Sequence, residues 1–143
     1  MSGTRNGGPT KRLAGVIAAF AGLALPLAPL AAQDETWRQA SRTGDQTAFV
    51  DMSSTVRDGD KVRFWREIRS AEPRTLEGGD ERYDKLGSLI EADCQRMEFR
   101  TLELYIKLGD EEVARGTPEA KLEIAKPGST VETDIKTACS SGW

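Results

Sequence analysis

The sequence predicts an α+β fold: about six antiparallel strands in one sheet, with a single C-terminal helix packed on it and tied to it by a disulfide. In several separate stretches between residues 36 and 115, apolar side chains recur at every second position, which is the period of half-buried strands. Residues 127–139 instead have helical spacing, with Val131, Ile135 and Cys139 on one face. Because strands and helix occupy separate parts of the chain, the pattern indicates α+β.

Six stretches carry the strand pattern, and turn residues separate several of them. The predicted strands span residues 36–41, 46–52, 61–69, 86–94, 97–108 and 111–115. In the clearest of them, Val62, Phe64 and Ile68 alternate with polar or amphipathic side chains and should face the core. In the stretch 97–108 the alternation slips near Thr101, which predicts a β-bulge.

The segments between these strands include three turn signals, Gly44-Asp45, Asp58-Gly59-Asp60 and Gly109-Asp110. Residues 70–84 contain one proline, two glycines and many charges, so we expect the longest loop there, and a mobile one. Residues 117–126 are ambiguous and could lie extended across the sheet edge.

The C-terminal helix should be capped and cross-linked. Ser129 and Glu132 have the Ser-x-x-Glu spacing of a capping box. Cys139 lies on the buried face of this helix, and Cys94 lies in the core-facing phase of its strand. In an exported chain, two cysteines favour one disulfide. The alternative is two reduced, buried thiols.

The N-terminal region has the layout of a secretory signal peptide. Arg5, Lys11 and Arg12 precede the apolar run 13–25, and small residues follow at Ala31 and Ala32. We expect cleavage after residue 32, which leaves 33–143 as a single domain. The alternative is an uncleaved membrane anchor, since 13–32 has about the ~20 residues that span a bilayer. Two prolines in its second half argue against that.

The expected export signal has the features neither of a lipoprotein signal nor of a twin-arginine signal. No cysteine lies near the cleavage region, so we expect no lipid anchor, and the single arginine in Lys11-Arg12 argues against a twin-arginine signal.

The whole chain has a formal charge of −3, and loss of the three N-terminal cations makes the remainder more acidic. An acidic domain with interspersed charges is a poor nucleic-acid binder.

Catalytic chemistry is poorly represented. The chain has no histidine, which removes the commonest general base and metal ligand. No Gly-rich phosphate loop or nucleophile elbow occurs. Asp58 and Asp60 could contact calcium, but the twelve-residue loop pattern is absent. We therefore expect no enzyme activity, no cofactor and no metal.

A protein-binding surface has more support in the sequence than a catalytic site does. Arg63, Trp65, Glu67 and Arg69 occupy the face of the 61–69 strand opposite the core set, and tryptophan beside arginine is typical of interface hot spots. Two alternatives remain open: the sheet is covered on both sides, or Trp65 packs under the 70–84 segment. That segment is a second candidate contact or a plain linker. Trp37 and Trp143 are equally ambiguous, the latter as a disordered end or a cap.

The order and spacing of several short elements resemble the surface-adhesin protein E-like family. These elements are Trp37, residues 49–51 and 53–56, residues 61–65, Asp93-Cys94, and Pro127-Gly128-Ser129 with Glu132 leading to Cys139. The resemblance implies an antiparallel sheet with a C-terminal helix tied by a disulfide, and a role in attachment. Two departures are the missing lipidation cysteine and the aliphatic Leu122 and Ile124, where an aromatic residue would be expected before the Pro-Gly-Ser motif.

Two principal hypotheses follow. The first is an exported binding module whose partner is a protein, either of the extracellular matrix or of the envelope, reached through the Trp65 face or the 70–84 segment. The second is a periplasmic structural or accessory protein of the cell envelope with no adhesive role. A weaker third option is an inhibitor-like domain that blocks a secreted enzyme.

Overall fold

The structure is a computed structural model that describes residues 36–141. The elements within this range are β1 (Trp37–Thr43), β2 (Gln46–Asp51), β3 (Val56–Asp58), β4 (Lys61–Thr75), β5 (Arg82–Asp93), β6 (Glu98–Leu108), β7 (Glu111–Gly116), β8 (Glu123–Ile124) and α1 (Thr130–Cys139). The predicted signal peptide over residues 1–32 and Trp143 lie outside the described residues.

The strands form one antiparallel sheet in the order β1-β2-β4-β5-β6-β7. Short β3 pairs with β4 beyond the end of β2, and short β8 pairs with β6 beyond the end of β7. This confirms the predicted six-stranded antiparallel sheet with a C-terminal helix. The ambiguous 117–126 segment supplies β8, so it does run along a sheet edge.

The bulge predicted in the fifth main strand is present. Leu89 pairs with Glu103 and Ile90 pairs with Thr101, so Leu102 has no partner in β5. One extra residue in β6 at this point shifts its alternation, which is the slip that the sequence shows.

The loop predicted over residues 70–84 is wrong. β4 continues to Thr75 and β5 begins at Arg82, so a long hairpin occupies most of that segment. Pro73 is tolerated because the β4–β5 pairing shifts between Arg69 and Arg74, where a strand can accept a residue without an N–H donor. Because the β4 arm of this hairpin is exposed beyond Ser70, its sequence shows charge rather than alternation.

The core lies between one face of the sheet and α1. Val62 and Phe64 are fully buried there, as predicted, and Ile68 on the same face is half-buried. The helix packs on β1, β2 and β4 and contributes Ile135 and Ala138, which have no exposed surface. The predicted helical spacing therefore identified the face that is buried.

The predicted disulfide joins Cys94, directly after β5, to Cys139 at the last residue of α1, with 5.9 Å between the Cα atoms. At the other end of the helix, Ser129 is the N-cap, and its hydroxyl accepts a hydrogen bond from the Glu132 N–H at 3.3 Å. The Glu132 carboxylate accepts from the Gly128 N–H, one residue before the N-cap position of a capping box. Both ends of the helix are thus fixed.

A buried ion pair crosses the helix–sheet interface. Asp134 has no exposed surface, and its carboxylate accepts hydrogen bonds from the Arg66 guanidinium and from the Ser41 hydroxyl. Arg66 also donates to the Thr130 hydroxyl at 3.2 Å. This network connects β1, β4 and α1, and the sequence reasoning did not identify it. Burial raises the pKa of Asp134, and the charge of Arg66 opposes that rise.

Candidate binding surface

The residues predicted as a binding surface lie on the face of the sheet opposite α1, here called the open face. Arg63, Trp65, Glu67 and Arg69 alternate along β4 with the core residues, so their side chains point away from the helix. Of the elements described, only α1 lies outside the sheet, and it packs on the other face. No second layer of the described chain covers the open face.

Trp65 is half-buried within the open face by side chains of its neighbours. Its ring lies 5.3 Å from the ring of Tyr105, centroid to centroid, at a tilt of 43°. The Arg115 guanidinium lies over both rings, 5.7 Å from Trp65 and 5.2 Å from Tyr105. Such aromatic and cation–π contacts hold the indole in one orientation.

Glu67 differs from its three companions because it is buried, with 4% of its surface exposed. Its carboxylate accepts a hydrogen bond from the Tyr105 hydroxyl at 2.5 Å and another from Arg69 Nε at 2.7 Å. Burial, followed by the hydrogen bond to Glu67, raises the pKa of Tyr105 well above its ordinary value. The tyrosine therefore stays protonated as the donor, and Glu67 positions its neighbours instead of offering a contact.

Gly87 makes room for this arrangement. It pairs with Glu67 on one side and Tyr105 on the other, and a Cβ atom at Gly87 would lie 2.0 Å from Tyr105 Cζ. The tyrosine ring lies directly over the glycine backbone. A glycine inside a strand often marks such a close approach, and this was the one sequence signal that could have located Tyr105.

Substitution of Gly87 by alanine is expected to displace the Tyr105 ring and separate its hydroxyl from Glu67. Overpacking costs about 1–3 kcal/mol, and the loss of a donor to a buried acceptor adds a similar amount. We expect the free energy of unfolding, measured by urea denaturation, to fall by about 2 kcal/mol or more. Gly116→Ala is the matched control, because a Cβ there meets no atom within 4 Å. Equal loss in the two variants would contradict the close approach.

The aromatic character of the open face extends to β1 and β2. The Arg69 guanidinium lies 4.3 Å from the Phe49 ring centroid and 5.5 Å from that of Trp37. Beside them is a cleft of about 290 Å³, to which Arg42 and Thr47 contribute. Trp37 is therefore part of the same surface, which the sequence left open.

At the other end of β4 the open face becomes concave. A cavity of about 440 Å³ is lined by Val56, Asp58, Lys61, Val62, Arg63, Glu91 and Arg100. Glu91 is its central charge, because its carboxylate accepts from both Arg63 and Arg100. Hydrogen bonds from Arg63, and then from Arg100, lower the pKa of Glu91 and keep its carboxylate ionised.

Among residues 36–141, no group of three or more His, Cys, Asp or Glu side chains is arranged to hold a metal ion. Asp60 instead accepts a hydrogen bond from the Gln95 amide at 2.9 Å. No helix within the same range is long and apolar enough to cross a bilayer.

A family model described as "Surface-adhesin protein E" matches residues 37–140. The match covers the whole sheet, the helix and both cysteines. No curated protein matches the chain.

The chain therefore belongs to the surface-adhesin protein E family. Membership of this family supports an adhesin-like role, export of the protein, and a partner that is a surface or host protein. The antiparallel sheet, the disulfide and the C-terminal helix that the resemblance implied are all present.

Proposed function

We propose that the protein is an exported, non-enzymatic binding module that engages its protein partner through the open face. One observation carries this proposal: Trp65 is held half-exposed on the sheet face that the described chain leaves uncovered, in contact with Tyr105 and Arg115. Tryptophan, tyrosine and arginine are the residues most enriched at interface hot spots. A rigid platform also loses little conformational entropy on binding.

The proposal includes processing of the chain. We propose that the signal peptide is removed after Ala32 and that residues 33–143 act as one domain. The family match begins at residue 37, shortly after this position, and supports the proposed boundary.

A second candidate is a periplasmic accessory protein of the envelope. The observation that favours it is that the main cations of the open face already have internal partners. Arg69 pairs with Glu67, Arg115 pairs with Glu112, and Arg63 pairs with Glu91. Because these cations are already neutralised within the domain, the face offers little free charge to attract a partner from solution, which favours a constant structural contact.

Protease treatment of intact cells separates the two candidates. If the domain is displayed at the surface, we expect the protease to cleave it on intact cells. Cleavage of the domain in lysed cells is the control that shows it to be a substrate of the protease. Protection until lysis would place the protein in the periplasm and support the accessory role. A mature N-terminus read from the same sample tests cleavage after Ala32.

The wild type is first tested for binding to immobilised extracellular matrix proteins. On any protein that binds it, Trp65→Ala is expected to bind roughly thirtyfold more weakly. The variant also loses the ring contact with Tyr105, so we expect the free energy of unfolding to fall by about 0.5–1.5 kcal/mol, measured by thermal unfolding. Leu108→Ala is the matched control, because it removes a 40%-exposed side chain in the core-facing phase of β6. Equal binding by wild type and Trp65→Ala would exclude this surface.

A further inference from the structure

We propose that the concave end of the open face, bounded by Val56, Arg63, Glu91 and Arg100, is a subsite for an acidic peptide side chain with an apolar neighbour. The inference rests on the proposed function in one respect only, which is that the peptide belongs to the protein partner. The carboxylate would contact the two arginines, and the apolar neighbour would cover Val56.

The shape of the site comes from strands that pair side by side. Val56 on β3 pairs with Arg63 on β4, Arg63 pairs with Glu91 on β5, and Glu91 pairs with Arg100 on β6. The four side chains therefore form one row across the sheet, on the open face. The cavity above them has a volume of about 440 Å³, which is large enough for two side chains of a peptide.

Glu91 orients both guanidinium groups without using all their donors. Arg63 donates Nη2–H to one carboxylate oxygen at 2.9 Å, while Arg100 donates Nε–H to the other at 3.0 Å. Within residues 36–141, Arg63 Nε and Nη1 and Arg100 Nη1 make no hydrogen bond or ion pair. The arginine side chains remain 55% and 47% exposed. A second carboxylate can accept from these donors, and guanidinium forks suit that geometry.

Local charge and polarity define the chemistry of the occupant. Lys61, Arg63 and Arg100 line the cavity against Asp58 and Glu91, and Lys61 also lies 3.9 Å from the Asp93 carboxylate. The positive charge offered to an occupant is therefore that of the two guanidinium groups, whose donors Glu91 does not exhaust. Val56 adds an apolar wall that is 64% exposed. An inorganic anion could contact the two arginines alone. A Glu side chain followed by an aliphatic residue could contact both the arginines and the apolar Val56 wall.

The test is a titration of the ¹⁵N-labelled exported protein, with its disulfide intact, by two capped peptides, acetyl-Gly-Glu-Leu-Gly-amide and its Gln analogue. We expect shifts centred on the Val56 amide and the Arg63 and Arg100 Nε–H signals, with the Gln peptide binding roughly twofold to fivefold more weakly. Equal binding of the two peptides, or no shift at these groups, would overturn the proposal.

Variants of the same protein give a second readout. Arg63→Gln and Arg100→Gln should each weaken binding of the Glu peptide by roughly fivefold. Arg38→Gln makes the same charge change at an exposed residue of β1 that lies off the open face, and it should leave peptide binding unaltered. Sodium phosphate that displaces the peptide at equal concentration would indicate an anion site without peptide preference, and so refute the assignment. Peptide binding by a protein that proves periplasmic would preserve the subsite and refute only adhesion.

Discussion

Replacement of Cys94 by serine is expected to lower the free energy of unfolding by about 2–5 kcal/mol. The bridge joins residues 45 positions apart, and the chain-entropy model assigns roughly 4 kcal/mol to a loop of that length. The helix that it holds has only 10 residues, and isolated helices this short are marginal in water. Loss of the bridge should therefore loosen α1 first.

Thermal unfolding with and without reductant measures this effect. We expect the wild type to melt at least about 10 °C lower when reduced, given about 4–8 °C per kcal/mol for a domain near this size. The paired Cys94→Ser and Cys139→Ser variant should match the reduced wild type and be insensitive to reductant. If the wild type melted at the same temperature in both conditions, the bridge would contribute nothing.

The sequence predicted those elements whose signals are local. Ser129 and Glu132 lie three residues apart and identify the helix start without any tertiary information. The slip near Thr101 identified the bulge because an extra residue changes which face every following side chain occupies. The hairpin over residues 70–84 escaped because the exposed β4 arm has no buried side to impose a period of two.

The candidate site was predictable only in part. Alternation along β4 placed Trp65 and Arg69 on one face, and the structure agrees. Their partners Tyr105 and Gly87 come from β6 and β5, and the register between strands determines which residues meet. A single sequence does not fix that register, since it depends on how the whole core packs. The burial of Glu67 follows from the same register.

The ion pair between helix and sheet had one signal in the sequence, which the alternation of apolar residues does not explain. Arg66 lies in the core-facing phase of β4, between Phe64 and Ile68, where a charged residue needs a buried partner. Asp134 is 68 positions away, and an aspartate on an amphipathic helix is ordinarily solvent-facing. A charge in a core phase therefore predicts that a partner exists, without identifying it.

Asp134→Leu is expected to destabilise the fold by about 3–5 kcal/mol, because it leaves the Arg66 guanidinium charged and unpaired in the interface. The combined Arg66→Met and Asp134→Leu variant removes both charges and should lie within about 1 kcal/mol of the wild type, or above it. Urea denaturation of the wild type, both single variants and the pair gives the coupling energy. A double variant as unstable as the sum of the two singles would show that the pair is not coupled.

The pH dependence of these variants supplies an independent test. Burial raises the pKa of Asp134 in the folded state above its ordinary value of 3.8, so the folded protein holds that proton more tightly than the unfolded chain. The stability that this group contributes is fully present below the ordinary value and is lost as the pH rises through the folded pKa. The paired variant has no such titration, and its stability relative to the wild type should therefore increase between about pH 3.5 and pH 7. A constant difference across that range would show instead that Arg66 compensates the burial of the carboxylate completely.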